Sequence, residues 1–321
     1  MSWMVTGAAG YIGSHVAHTL HGRGREVVAV DNLSTGHRAF VPEGAVWVAC
    51  DVRDARQLTE VMRHHDVTGV IHLAGFKYAG LSVKEPLRAY QDNVHGTMGL
   101  LQAMTDAEVR MLVFSSSAAT YGTPSEEVVT ERTPVRPESP YGESKLIGEW
   151  LIADQGRATG LRHTSLRYFN VVGAGRREVA DTSPHNLFPR IFSALDQGRS
   201  PKIFGTDYPT SDGTCVRDYV HVQDLADVHV AAADCLEAGI ELDPIYNIGS
   251  GTGTSVAEIM SVMKKVTGIP FDAEVCPRRP GDPSRIVADG AAARRDLGWA
   301  MSHSLEEMAA SSWDAWRRFH R

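Results

Sequence analysis

An α/β chain built on a doubly wound parallel sheet, followed by a smaller mixed α/β C-terminal substrate unit, is predicted by three observations. Short apolar runs recur at Met4-Val5, Val27–Val30, Val46–Cys50, Gly69–Leu73, Leu112–Phe114 and Leu166–Phe169, with helix-length segments between them. A glycine-rich turn follows the first run, and the second ends in an acidic residue, Asp31. Strand, helix and strand in regular alternation place successive strands side by side and parallel.

The first turn reads Thr6-Gly7-Ala8-Ala9-Gly10-Tyr11-Ile12-Gly13-Ser14. Glycines at 7, 10 and 13 permit a tight turn, close backbone approach to a pyrophosphate and close packing of the next helix on the sheet. That helix then offers its N-terminal amides to phosphate. Asp31 lies 18 residues beyond Gly13. A carboxylate there accepts from both hydroxyls of an adenosine ribose and repels a 2′-phosphate, which selects NAD over NADP. The third run ends in Asp51-Val52, expected beside the adenine, and the fourth in Ala74-Gly75. A Rossmann-type nucleotide domain follows, with Leu112–Phe114 leading into Ser115-Ser116-Ser117 and a helix over 141–158.

After Asn170 the pattern loosens. Residues 173–184 are polar and irregular, and 204–214 are rich in turn formers. Regularity returns in a strand at 219–222, a helix from Asp224 to about Ala238, a strand at 245–248, a helix after Ser255 and an amphipathic helix at 304–319. The expected division is a nucleotide domain of 1–169 plus 218–243 and a substrate domain of 170–217 plus 244–321.

Composition sets bounds on function. At 43% hydrophobic and 22% charged residues the chain has ordinary globular proportions. A net charge of −7 argues against general nucleic-acid or anionic-membrane binding. No apolar stretch reaches the roughly 18 residues of a membrane span, and the N-terminus lacks a signal-peptide pattern. The four cysteines show no paired spacing and read as reduced cytoplasmic thiols. His15, His18 and His21, like His64-His65, have no acidic or cysteine partner nearby; solvated or capping roles are expected, and no metal site.

Tyr141 and Lys145 stand four residues apart on the helix over 141–158, 24 residues after Ser117. Residues at i and i+4 share a helix face about 5–6 Å apart. An ammonium beside a phenol favours the phenolate, so the tyrosine pKa is expected to fall. A phenolate next to a serine hydroxyl can take the proton from an alcohol that is losing hydride. Alone, the Y-x-x-x-K spacing is a weak signal, because it occurs by chance in many surface helices. The nucleotide loop in front of it favours chemistry.

With these motifs in hand the chain resembles the extended short-chain dehydrogenase/reductases, and more narrowly the UDP-glucose 4-epimerase (galactose 4-epimerase) family. The resemblance runs nearly end to end. It covers Gly7–Ser14, Asp31-Asn32-Leu33, Ala74–Lys77, Ser115–Gly122 and Ser139–Lys145. Downstream it covers Arg167–Asn170, Phe204–Pro209, Val216–Tyr219 and Pro277–Arg279 with Gly281-Asp282. The downstream segments are the specific part, because in the family they form the nucleotide-sugar pocket.

The resemblance implies roles. Tyr141 would be the base, Lys145 would lower its pKa and bind the nicotinamide ribose, and Ser117 would bond the sugar 4-hydroxyl or relay its proton. Cofactor contacts would come from Gly7, Gly10, Tyr11, Ile12, Gly13, Asp31, Asn32, Asp51, Val52, Ala74, Asn93 and Tyr168. Lys77 would lie beside the pyrophosphate and the substrate. Asn170, Arg217 and Arg279 would hold the UDP diphosphate, where guanidinium–phosphate pairing fits the charge. Asn186, Leu187 and Phe204 would border the uracil, Asp282 would touch the ribose, and Ile286 would limit the space at sugar C2. Asn170 could instead cap its strand, and Lys77 and the arginines could be ordinary solvated charges. The family's reaction passes hydride from sugar C4 to NAD and back to the other face through a 4-keto sugar. Its members are commonly homodimers.

Three rival readings differ in chemistry. Nucleotide-sugar 4,6-dehydratases carry Asp-Glu after the residue corresponding to Ser117, where this chain has Ala118-Ala119, which cannot move protons. A non-catalytic NAD-binding protein would commonly lack the tyrosine or the lysine. An ordinary dehydrogenase would release NADH. The chain also departs from the best-known epimerases. Asp92 stands for a common Asn, Leu81 for a common Glu, and Val171-Val172 follow Asn170. Ile286 replaces Tyr or Cys, so UDP-glucose and UDP-galactose are the expected substrates, with UDP-N-acetylhexosamines disfavoured and acidic or pentose UDP-sugars left open.

Overall fold

The computed structural model describes residues 1–279 and 282–320. Gly281, part of the Gly281-Asp282 resemblance, lies outside the described residues.

Seven parallel strands form the central sheet, in the order Ile245–Ile248, Arg162–Tyr168, Met111–Ser115, Val67–His72, Ser2–Thr6, Glu26–Asp31, Val46–Ala49. Helices cover both faces, which explains the near-continuous apolar runs. Alternate residues divide between two cores. Trp3, Val5, Val27, Ala29 and Val113 pack with Val16, Leu20, Leu225 and Val228. Met4, Val28, Val30, Leu112 and Phe114 pack on the other face with Leu58, Met62, Leu100 and Ile152. A period of two in the strands thus supplies both layers.

The strand order reverses between Ser2–Thr6 and Val67–His72. At such a switch point the loops leaving the carboxyl ends diverge and open a crevice. Gly7–Gly13 enters it from one side and Ala74–Lys77 from the other.

The structure moves the expected boundary at residue 243. Ile245–Ile248, assigned above to the substrate unit, pairs with Arg162–Tyr168 as the edge of the main sheet. Ala293, Leu297 and Trp299 then pack on the same core. A strand's ownership is decided by its pairing partner, which local composition does not reveal. In the other direction, Val128–Val129 leaves the nucleotide half to join a four-stranded sheet with Arg285–Ala288, Val216–Arg217 and Thr254–Ser255. Beside that sheet, Phe188, Phe192, Ile259, Met263, Met308 and Trp316 form a separate core.

Candidate active site

A single cavity of about 980 Å³ runs from the glycine loop to the four-stranded sheet. Its nucleotide end is made of backbone. Gly7 adopts φ +71°, and a Cβ on Gly13 would lie 2.1 Å from the Gly7 carbonyl oxygen, so neither position admits a side chain. Gly10 provides no side-chain cap for the helix Tyr11–Gly22, leaving its first amides to another acceptor. The Asp31 carboxylate is aimed by two backbone amides, Ala9 at 3.0 Å and Leu33 at 2.7 Å. Asp51 accepts from Asn32 at 2.9 Å and from Arg53 through two 2.8 Å bonds, and these hold its carboxyl well below the usual range. A glycine cradle at an uncapped helix start, with an oriented carboxylate beside it, fits a dinucleotide.

The helix that carries Tyr141 and Lys145, Pro140–Thr159, begins one residue before Tyr141 because Ser139 caps it and Pro140 occupies its first turn. Gly142 lets that helix close on the turn after the serines, since a Cβ there would meet the Ala119 carbonyl oxygen at 2.5 Å. Tyr141, Ser117, Lys145 and Tyr168 all line the cavity, with Ser117 near enough to Tyr141 to lower its pKa. Lys145 Nζ donates to the Ser115 carbonyl oxygen at 2.9 Å.

The expectation of a lowered tyrosine pKa is not met here. Burial raises the Tyr141 pKa, and the Ser117 hydroxyl offsets this only in part. Burial also brings Lys145 down to about 8, opposed by Glu149, one turn along the helix. Spacing placed the two on one helix but ignored the water that both groups give up.

At the far end Arg217 is ion-paired with Asp282, so Asp282 orients that guanidinium. Arg279 lies 4.0 Å over the Phe204 ring. Asn170 donates to the Asp218 carbonyl oxygen at 3.1 Å, the strand-capping role weighed above, and still lines the cavity. Asn186 caps no amide with its side chain but precedes the helix Leu187–Asp196, and it also lines the cavity with Leu187.

Two expected contact residues lie behind the wall. Asn93 is buried and grips Phe76, accepting from its amide at 2.6 Å and donating to its carbonyl at 3.1 Å. It shapes the loop that carries Lys77. Ile286 is 8% exposed and packs with Tyr121, Val129 and Phe169, of which Phe169 faces the cavity.

The sequence reading missed Asp181, Arg53 and Lys202, all on the cavity wall. Asp181 accepts from Asn186 at 2.7 Å, and burial raises its carboxyl despite nearby Lys77. It sits in the irregular stretch, where no periodicity marks it. His15 also departs from expectation. It is buried, with Nδ1 2.7 Å from the Tyr11 carbonyl and Nε2 accepting from the Gly175 amide at 3.0 Å. Among the described residues no group of three or more His, Cys, Asp or Glu could hold a metal, and no helix is long and apolar enough to cross a membrane.

A parallel sheet with this glycine loop, and a buried tyrosine–lysine–serine group opening into one long cavity, define a dinucleotide-dependent enzyme acting on an alcohol. Residues 3–249 match the NAD dependent epimerase/dehydratase family, to which the chain belongs, and NAD is accordingly its cofactor. The chain is 44% identical to the UDP-glucose 4-epimerase of Streptomyces lividans, covering 99% of this chain and 96% of that one. It is 42% identical to that of Lactobacillus helveticus, covering 100% and 98%. Among solved structures, the UDP-glucose 4-epimerase of Stenotrophomonas maltophila, with bound NAD and formylated UDP-arabinopyranose, superposes with a TM-score of 0.94 at 38% identity over 100% and 99% of the chains.

Proposed function

We propose that the protein interconverts UDP-glucose and UDP-galactose by inverting C4. The observation that carries this is the single cavity joining the dinucleotide cradle and the Tyr141–Ser117 pair to an arginine-lined end. NAD supplies the hydride acceptor and donor for C4. Tyr141 takes the 4-hydroxyl proton and gives it back, Ser117 orients that hydroxyl, and Lys145 stabilises the phenolate. Arg217, held by Asp282, and Arg279, stacked on Phe204, grip the diphosphate and uracil side, so the hexose is the loosely held part. Lys77 serves the phosphates between the two nucleotides. Ala118 and Ala119, on the turn after Ser117, carry no acid or base for elimination.

Relatives with UDP-sugar activity and the tyrosine–lysine–serine group together support this reading over a non-catalytic one. Feeding UDP-glucose, UDP-galactose and other UDP-sugars, with products identified by NMR, tests it. Tyr141→Phe is expected to lose most activity and keep its NAD. A keto-deoxy product or steady release of NADH would replace the reading with a dehydratase or a dehydrogenase.

A homodimer in the cytoplasm completes the proposal. Trp150 on the helix Pro140–Thr159 is 57% exposed and Met98 on the helix Gly96–Asp106 is 51% exposed, apolar surface that a second copy could cover. Light scattering that gave a single-chain mass at micromolar concentration would remove the dimer.

A further inference from the structure

Three consecutive serines lead out of the strand Met111–Ser115, and only Ser117 lines the cavity. Ser115 and Ser116 have no exposed surface. A buried hydroxyl without a partner costs about 1–3 kcal/mol, so each needs one. Ser116 donates to Glu149 at 2.5 Å. The Ser115 oxygen lies 2.6 Å from Nε2 of His229, 114 residues away in the helix Val222–Glu237.

The direction of that bond is fixed by the other ring nitrogen. His229 Nδ1 lies 2.8 Å from the Leu225 carbonyl oxygen. A carbonyl only accepts, so Nδ1 carries the proton and Nε2 is left as the acceptor for the Ser115 hydroxyl. His229 has no exposed surface, and burial lowers its pKa to about 4 against the Leu225 bond, so the imidazole stays neutral through the working range. Its Nε2 is a fixed acceptor, and the ring carries no charge. An apolar side chain could fill the same space, but it would strand the Ser115 hydroxyl.

Ser115 has a second attachment. Its carbonyl is the acceptor for Lys145 Nζ, at 2.9 Å. One residue therefore takes a side-chain anchor from one helix and presents its backbone to the catalytic lysine of another. We propose that His229 is a positioning residue for the reaction: by pinning the Ser115 side chain it holds the Ser115 carbonyl against the Lys145 ammonium and, two residues on, sets the Ser117 hydroxyl against Tyr141. This role presupposes the C4 chemistry proposed above.

Loss of the anchor has a signed consequence. A displaced Ser115 carbonyl no longer favours the ammonium, so the Lys145 pKa falls. With less positive charge beside it, the Tyr141 pKa rises. With the Tyr141 pKa above that of Lys145, the acid limb of the kcat profile follows Lys145 and the alkaline limb Tyr141, so the profile loses height and its limbs move apart.

The test compares His229→Phe, His229→Gln, Ser115→Ala and the His229→Phe/Ser115→Ala pair in the UDP-galactose to UDP-glucose direction from pH 5.5 to 10. Bound NAD and the thermal midpoint are measured in parallel. His229→Phe is expected to lower kcat about tenfold, with KM within about twofold and NAD retained. The acid limb, set by Lys145, should move outward by about half a unit. His229→Gln, which keeps an acceptor, is expected to recover most of the rate. The pair should be no slower than Ser115→Ala alone, since both changes break one bond. Unchanged limbs with a full rate per bound NAD in His229→Phe, whatever its midpoint, would overturn the role. Ser115→Ala removes little volume and decides the matter if His229→Phe does not fold: unchanged limbs there overturn it equally. Absence of epimerisation by the unaltered protein would instead sink the functional reading.

Discussion

Glu149 and Arg167 form a buried two-pronged ion pair, with Arg167 Nε and Nη2 donating to the two carboxylate oxygens at 2.8 and 2.6 Å. Arg167 is 2% exposed, Glu149 is 6% exposed, and the guanidinium lies 4.8 Å from the Tyr121 ring. Removing one charge leaves the other stranded. Glu149→Gln is expected to reduce stability by roughly 3–5 kcal/mol in urea unfolding. Glu149→Gln with Arg167→Met should recover most of that loss, because no buried charge then lacks a partner. Equal loss in both variants would assign the effect to packing.

Lys145 titrates near 8, so the ammonium beside Tyr141 is lost as pH rises through that value. Burial raises the Tyr141 pKa above that value, so above it each loss of ammonium is matched by a gain of phenolate, and the kcat for UDP-galactose is expected to rise to about pH 8 and then level. A fall beginning at pH 8 would show that the active site brings the Tyr141 pKa below that of Lys145 by means absent from this geometry.

Four buried histidines tie stability to acid. Burial lowers His15, His221 and His229 to about 4 and His72 to about 3, whereas an unfolded chain protonates near 6.5. Between those values the unfolded state binds more protons, so stability is full above about pH 6.5 and declines below it. The slope is on the order of 1 kcal/mol per pH unit for each histidine. Urea midpoints at pH 7, 6 and 5 that did not fall would contradict this.

Gly13→Ala places a methyl group against the Gly7 carbonyl, 2.1 Å away, where backbone meets backbone and neither yields cheaply. The expected result is a protein with the same far-UV spectrum and at least tenfold weaker retention of NAD after desalting. Retention equal to the unaltered chain would mean that the loop can open without loss of its grip.

Ile286 belongs to the buried cluster on which Phe169 packs, and Phe169 lines the cavity, so the proposed limit at sugar C2 would act through that ring. UDP-N-acetylglucosamine is expected to show kcat/KM at least about tenfold below UDP-glucose, a gap of the size that one or two apolar contacts produce. Ile286→Ala should narrow that gap by letting Phe169 retreat. Comparable values for both sugars in the unaltered protein would refute the size argument.

The nucleotide half was readable because parallel strands buried on both faces leave unbroken apolar runs, and because a phosphate loop needs glycine where nothing else fits. Tyr141, Lys145 and Ser117 were findable from spacing. What escaped was long-range or inside irregular chain. Asp181 sits where no period exists, and His229 meets Ser115 across 114 residues. Asn93 and Ile286 were assigned to the cavity by resemblance, yet each supports a residue that lines it. The Tyr141 pKa went astray for a related reason: sequence distance reports proximity between charges but not the solvent they have lost.

The edge strand Ile245–Ile248 has a consequence for how the molecule is made. Its partner, Arg162–Tyr168, is synthesised some eighty residues earlier and must wait on the ribosome with one flank of backbone unpaired. The nucleotide half therefore cannot close its own sheet as it is translated; the late segment has to return and seal it. A fragment ending at residue 217 is expected to expose that flank and self-associate, whereas one ending after Trp299 carries its own seal.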